Sequence, residues 1–330
     1  MSSLRSRLKG ILRISKPSLQ KTNKSTTSLD LDPNKLGTTK AKSKKDDLDF
    51  LELVSGTDPI VDIVAIHGLD GHRERTWTAE NGTLWLRDLL SVDIPNARIL
   101  VYGYDADTRS QECVSTQTIY QHADKFVKSL IRQRSDTPRR PIIFIAHSLG
   151  GIVLKQALVL CHVQTLGSTN QLRDILVSTH AVFFFGTPHS GVKGVELLKT
   201  MNRLLSVYLK TTEAILRNLK ENSPELENIQ NLYTSASEEI QTVLFYEVYP
   251  TPTVGGKSQI IVPHHSATVA GDRHATKEGL AADHCEMVKF PDTKHVNYVA
   301  VLSYLKQHIE GAIPAVEKKW LAEDKHRGLF

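Results

Sequence analysis

Residues 141–151 read PIIFIAHSLGG. An apolar run rich in Ile ends in Ala-His-Ser-Leu-Gly-Gly, and the chain continues as GIVLKQALVLCH, an apolar stretch of helical length. A short buried strand therefore passes directly into a helix through a turn of small residues. A turn this tight leaves no room for bulk two positions before or two after its apex. Ala146 and Gly150 meet that demand, with Ala146 in the place that glycine takes in the G-x-S-x-G elbow. Ser148 stands at the apex, its hydroxyl presented at the helix N-terminus, and is the candidate nucleophile.

The flanking chain alternates in the same way. Strands are expected at 59–67, 97–104, 141–146, 179–186, 239–247 and 259–262. Helices are expected at 85–90, 116–134, 151–162, 195–219, 225–233 and 296–309. Val/Ile/Phe runs without alternation indicate strands buried on both faces, and strand–helix alternation indicates a mostly parallel sheet with helices on both sides. Residues 192–237, with leucines in MNRLLSVYL and AILRNL, read as a helical lid-like insertion or as core packing. The expected α/β domain covers 46–310, with a basic tail at 1–45 and a C-terminal extension at 311–330.

A serine hydroxyl needs a base, and the base an orienting acid. On an elbow of this kind they follow the serine in the order acid, then histidine. Ten histidines follow Ser148. His284, in Ala-Asp-His-Cys-Glu-Met beyond the last core strands, is the favoured base. His264 and His265 follow a strand too closely and are expected to line or close the site, while His295 precedes the terminal helix. Glu247, at the end of the strand after 179–186, is the favoured acid, with Asp272 and Asp283 as alternatives. A tetrahedral intermediate needs two N–H donors: Leu149, just after the serine, and Leu69, in the His-Gly-Leu-Asp-Gly loop after the first strand. His67, Gly68, His147, His189 and His264 are candidate substrate contacts, although His189 fits a turn position equally.

The 330 residues are 40% apolar and 23% charged, as in an ordinary globular protein. The sequence contains no apolar run near the roughly 18 residues of a membrane span. Cys113, Cys161 and Cys285 are too few and scattered for a disulfide framework or zinc site, which points to a reducing compartment. Neither metal nor cofactor is expected. Charge is uneven: residues 1–45 hold twelve Lys/Arg and two acids, a net of +10, leaving −5 for the rest. The basic balance thus lies in the tail, and nucleic acid is not an expected partner. Leu4, Leu8, Ile11 and Leu12 share one helical face among Arg5, Lys9, Arg13 and Lys16. A mitochondrial transit peptide, an anchor at an anionic membrane surface through residues 1–16, and a solvated arm all fit. The expected location is intracellular: mitochondrial, at a membrane surface of the mitochondrion or endoplasmic reticulum, or otherwise cytoplasmic.

IVAIHGLDGH with Thr76-Trp77, FIAHSLGG, FFGTPHSG, VPHHSA and ADHCEMVKF, in that order over about 52–310, resemble the DUF676-type, serine-active-site α/β-hydrolase group. This group includes lipase-like N-terminal effector domains of fungal NOD-like (STAND) receptors and is similar to the GPI inositol-deacylase and lipase superfamily. The resemblance implies an α/β-hydrolase fold, hydrolysis of acyl esters with lipid as the expected substrate, Ser148 as nucleophile and His284 as base. Many lipase relatives carry Asp-Gly-x-Val before the Val-Pro element; this chain has Gln259-Ile260-Ile261-Val262, so Glu247 stands in for the acid. Two rival readings are a signalling module with vestigial catalysis and an acyltransferase using the same residues. No partner protein is identifiable.

Overall fold

The computed structural model describes residues 47–106, 118–163, 171–189, 200, 203, 223–253, 256–268 and 275–329. The tail at 1–45, all of the expected helix 195–219 but residues 200 and 203, much of the insertion 192–237, and Asp272 lie outside them. The strands are β1 (Asp49–Val54), β2 (Val61–Ile66), β3 (Ala97–Gly103), β4 (Ile142–His147), β5 (Thr179–Phe185), β6 (Gln241–Glu247), β7 (Thr251–Pro252), β8 (Ser258–Gln259) and β9 (Thr276–Leu280). The helices are α1 (Trp85–Asp88), α2 (Leu90–Asp93), α3 (Ile119–Gln133), α4 (Leu149–His162), α5 (Gln171–Ser178), α6 (Ser223–Ala236), α7 (His264–Ala267) and α8 (Val296–His326).

Seven strands form one sheet in the order β1-β3-β2-β4-β5-β6-β9, parallel except for β1, which pairs antiparallel with β3. Every residue of β2, β4 and β5 is buried, polar Asp62, His147, Thr179 and His180 included, and the runs are otherwise apolar. Alternate residues feed two cores, because successive strand side chains point to opposite faces. Val61, Ile63 and Ala65 join Ile143 and Ile145 beneath α1, α2 and the first half of α8. Val64 and Ile66 join Ile142, Phe144 and Ala146 beneath α3, α4, α5 and α6. The chain is thus an α/β-hydrolase-type sheet with helices on both faces.

At the amino end of β2, fully buried Asp62 receives Arg98 from β3, Arg140 from the approach to β4, and Arg134 from the end of α3. Burial alone would raise its pKa, but the three guanidiniums outweigh it and hold the carboxylate below its usual range. This ion cluster pins the end of the sheet opposite the candidate site.

Four elements depart from the sequence reading. Residues 259–262 are not a strand of the main sheet. Ser258 and Gln259 form a two-residue pair with β7, while Ile261 and Val262 bury their side chains against Ile152, Ile229 and Ala267. The sheet's last place goes to β9, whose polar Thr-Lys-Glu-Gly-Leu sequence suits an edge and carries no apolar run. Edge strand β1 was also not expected. Finally, α8 runs to His326 through Pro314, so 311–330 is mostly helix and not a separate extension. Its Trp320 packs on Val177 and Val316 beneath the Arg139 guanidinium. Among the described residues no helix is long and apolar enough to cross a membrane.

Candidate active site

From β2 the chain steps outward to β3 on one side, and β4, β5 and β6 follow on the other. The order therefore reverses between β2 and β4, and in an open parallel sheet a crevice opens beyond the carboxyl ends at such a point. The loop His67–Gly71 leaves β2 there, and Ser148 leaves β4 there.

Ser148 has φ 53° and ψ −123°, a left-handed backbone for a residue with a side chain, which costs about 1–2 kcal/mol. The surroundings hold it. Its N–H donates to Phe185 O (2.9 Å), and its carbonyl accepts the Gly151 N–H (3.1 Å) and the Thr187 hydroxyl (3.2 Å). A Cβ on Gly68 would sit 2.8 Å from Ser148 Cβ, so only glycine lets the loop after β2 lie against the serine. That loop is closed by Asp70 N–H to Ala106 O (2.9 Å) and Gly71 N–H to Gly68 O (3.1 Å). Leu69 lies within it. Leu149 is the first residue of α4, so its N–H is one of those no helical carbonyl reaches.

His284 lies four residues beyond β9, and Glu247 ends the neighbouring β6, opposite Leu280. Their side chains are fully buried, with Nδ1 3.6 Å from Oε2. Glu247 Oε1 accepts the Val262 N–H at 2.5 Å, and the Ile261 N–H also bonds the carboxylate. The Thr251 hydroxyl donates to Oε2 (3.4 Å) and accepts the backbone N–H of His284 (3.0 Å). Gly186, at φ 52°, lies so close that a Cβ there would be 2.9 Å from both Cε1 and Nδ1 of His284. Because Gly186 follows Phe185, the same short stretch of backbone touches Ser148 on one side and His284 on the other. Ser148 Oγ and His284 Nε2 are both buried and have no hydrogen-bond partner among the described residues.

Burial dominates the electrostatics. It pushes Glu247 up to about 7, against the opposing bonds from Val262, Ile261 and Thr251, with the Asp283 charge adding to the rise. Burial also drives His284 well below its usual range, with a smaller push from His147. The resting imidazole is neutral and able to take a proton. The carboxylate beside it holds protons more tightly than a solvated one, which favours the imidazolium it would face.

The other sequence candidates scatter. Asp283 accepts the N–H groups of Cys285 and Glu286 (2.8 and 2.9 Å) and so caps its own loop. His67, read as a substrate contact, is instead a clamp. Its Nδ1–H donates to Gly68 O (2.9 Å), its Nε2 accepts the Tyr104 N–H (3.3 Å), and its ring stacks on Tyr104 at 4.5 Å. Both bonds need the neutral ring, which burial maintains by lowering the pKa to about 4. His147 donates Nε2–H to the carbonyl of His284 (2.9 Å). His189 is buried edge-on against Phe184 at 4.7 Å, and its backbone N–H donates to Ser266 O. His264 is exposed on α7 with its ring edge on Tyr246. Sequence reasoning missed Thr251 and the N–H groups of Ile261 and Val262. Nothing local marks a threonine after a strand or an apolar dipeptide as carboxylate ligands.

Residues 61–229, just over half of the chain, match the family described as "Putative serine esterase (DUF676)". Human "Protein SERAC1" is 25% identical over 228 residues, which are 62% of this chain and 33% of the human protein. The zebrafish (Danio rerio) "Protein SERAC1" is 24% identical over 229 residues with the same coverage. The chain thus spans about a third of the length of these curated relatives. Among solved structures, the mature Bacillus licheniformis lipase BlEst2 superposes with a TM-score of 0.51 at 16% identity, covering 77% of this chain and 97% of that one. At that identity the likeness speaks for the fold alone. The family match takes in the loop after β2 and the elbow at Ser148 but ends before Glu247 and His284. On its extent, the chain belongs to the DUF676 serine esterase family.

Proposed function

We propose that the protein is a serine hydrolase that cleaves acyl esters through an acyl-enzyme on Ser148. The observation that carries this reading is the convergence of Ser148, on a left-handed elbow, with the buried Glu247–His284 pair across the Phe185–Gly186 backbone. His284 Nε2 takes the hydroxyl proton as Oγ attacks the carbonyl, and Glu247 stabilises the imidazolium that forms. The 3.6 Å separation of Nδ1 and Oε2 exceeds a hydrogen bond. Such contacts are commonly long without substrate and tighten in the Michaelis complex. The N–H groups of Leu69 and Leu149 receive the oxyanion. His284 returns the proton to the leaving alcohol, and water repeats the cycle on the acyl-enzyme. A fluorophosphonate probe tests the assignment: it labels the wild type and not Ser148→Ala, and equal labelling of the two refutes it.

The lipid character of the substrate is part of the proposal and rests on residues 1–16. Their Leu/Ile face and interleaved Arg/Lys would hold the protein at an anionic membrane surface. Sedimentation with vesicles containing anionic lipid, lost at high salt and on deleting 1–16, supports that part. Salt-independent or absent sedimentation of the full chain refutes it.

A further inference from the structure

Beside the oxyanion loop lies a cavity of about 270 Å³ whose lining includes Leu69, Gly71, Arg75, His147, Cys285 and Lys289. It is bounded by the elbow, the loop after β2 and the loop that carries His284, and is polar on most sides. His147 is 4% exposed and its Nδ1 has no partner among the described residues. The state of that nitrogen follows from the other one. Nε2 lies 2.9 Å from the carbonyl oxygen of His284; a carbonyl only accepts, so Nε2 bears the hydrogen. Burial keeps the ring neutral, with a pKa of about 4. Nδ1 is therefore a bare lone pair beside the reacting serine, and it needs a donor.

Arg75 and Lys289 line the same cavity and can only donate. A hydroxyl group, donor and acceptor at once, meets both kinds of wall. A carboxylate leaves the lone pair unmet, and an acyl chain strips water from the cations with nothing in return; Asp70 lines the cavity as well, so hydroxyls, which both donate and accept, fit its mixed walls. We propose that this cavity is the alcohol-side subsite of the esterase and selects esters whose alcohol part carries free hydroxyls, with His147 Nδ1 accepting one of them. The inference rests on the serine-hydrolase reading. It adds a class of leaving group, a small polyol, and a specificity role for His147.

Two esters with the same acyl group test it: glycerol monobutyrate and ethyl butyrate, with the full chain. One additional hydrogen bond to a buried acceptor predicts about a tenfold higher kcat/KM for the glycerol ester. His147→Gln retains an N–H near the place of Nε2 but has no lone pair at Nδ1, and should bring the ratio of the two esters close to one. Reading the ratio cancels any general loss of activity. Arg75→Met, at an exposed position that folding tolerates, should lower the ratio by a few-fold. A wild-type ratio near one, or an unchanged ratio in both variants, overturns the inference. Binding separates this result from failure of the parent reading. In Ser148→Ala, ligand-detected NMR should show the glycerol ester bound in preference to the ethyl ester, and the added His147→Gln should abolish the preference. Equal binding overturns the subsite even if the wild type hydrolyses both esters. Preferential binding with no hydrolysis of either ester overturns the hydrolase reading and leaves the polyol site standing.

Discussion

Replacing Gly186 by alanine tests whether the backbone between β5 and the Thr-Pro-His turn sets the position of His284. The residue has φ 52°, so any side chain there costs about 1–2 kcal/mol. The new Cβ would lie 2.9 Å from Cε1 and Nδ1 of His284 and 3.0 Å from Met287 Sδ. Carbon atoms prefer about 3.5–4.0 Å, so the ring must retreat by about 0.6 Å or more. It has little freedom to do so: its N–H is held by Thr251, its carbonyl by His147, and the residue is fully buried. Overpacking of this sort adds about 1–3 kcal/mol, for a total loss of about 2–5 kcal/mol in urea unfolding. Misplacement by about 1 Å costs about 100-fold in rate, so kcat on a soluble butyrate ester should fall by about 10- to 100-fold. Ser148, on the other side of Phe185, should still label with a fluorophosphonate, but more slowly. A Gly186→Ala protein with wild-type kcat refutes the argument that this glycine sets the ring.

Ser148→Gly should be more stable than Ser148→Ala by about 1 kcal/mol in urea unfolding, because only glycine occupies the left-handed backbone without strain; equal stability would mean that the elbow is not strained. The kcat/KM profile should rise with pH through about 7 and then level. Glu247, lifted to about 7 by burial, must lose its proton to stabilise the imidazolium, while His284, depressed by burial, stays neutral throughout. A midpoint below about 5 contradicts this, and Glu247→Gln should lower turnover by roughly 10⁴-fold. Asp62→Asn should cost about 3–5 kcal/mol in urea unfolding, because it leaves Arg98, Arg134 and Arg140 without their carboxylate, Arg134 being only 1% exposed; a loss under about 1 kcal/mol would show that the cluster is not needed.

What the sequence determined by itself was local. The run from 141 to 151 determines a strand, a tight turn and a helix, because small residues around Ser148 and apolar residues before and after it leave no other backbone path. Val/Ile/Phe-rich runs at β2, β4 and β5, with no apolar/polar alternation, likewise determine strands covered on both faces. Edge strands escaped: β1 and β9 mix charged with apolar residues, and burial on one face leaves a weaker pattern than 259–262 offers. That apolar stretch looks like a strand, yet the backbone N–H groups of Ile261 and Val262 bond a carboxylate. Only the tertiary structure decided the surroundings of the serine. Glu247 ends β6 and His284 lies in the loop after the adjacent parallel strand β9, and their 3.6 Å approach depends on the β6–β9 register. His67 and His147 look alike in sequence, one just after β2 and the other ending β4, both beside the site. One has both nitrogens bound to backbone and the other keeps a free lone pair, because hydrogen-bond partners distant in the chain set the state of a buried ring, and the pattern of neighbouring residues carries no record of them.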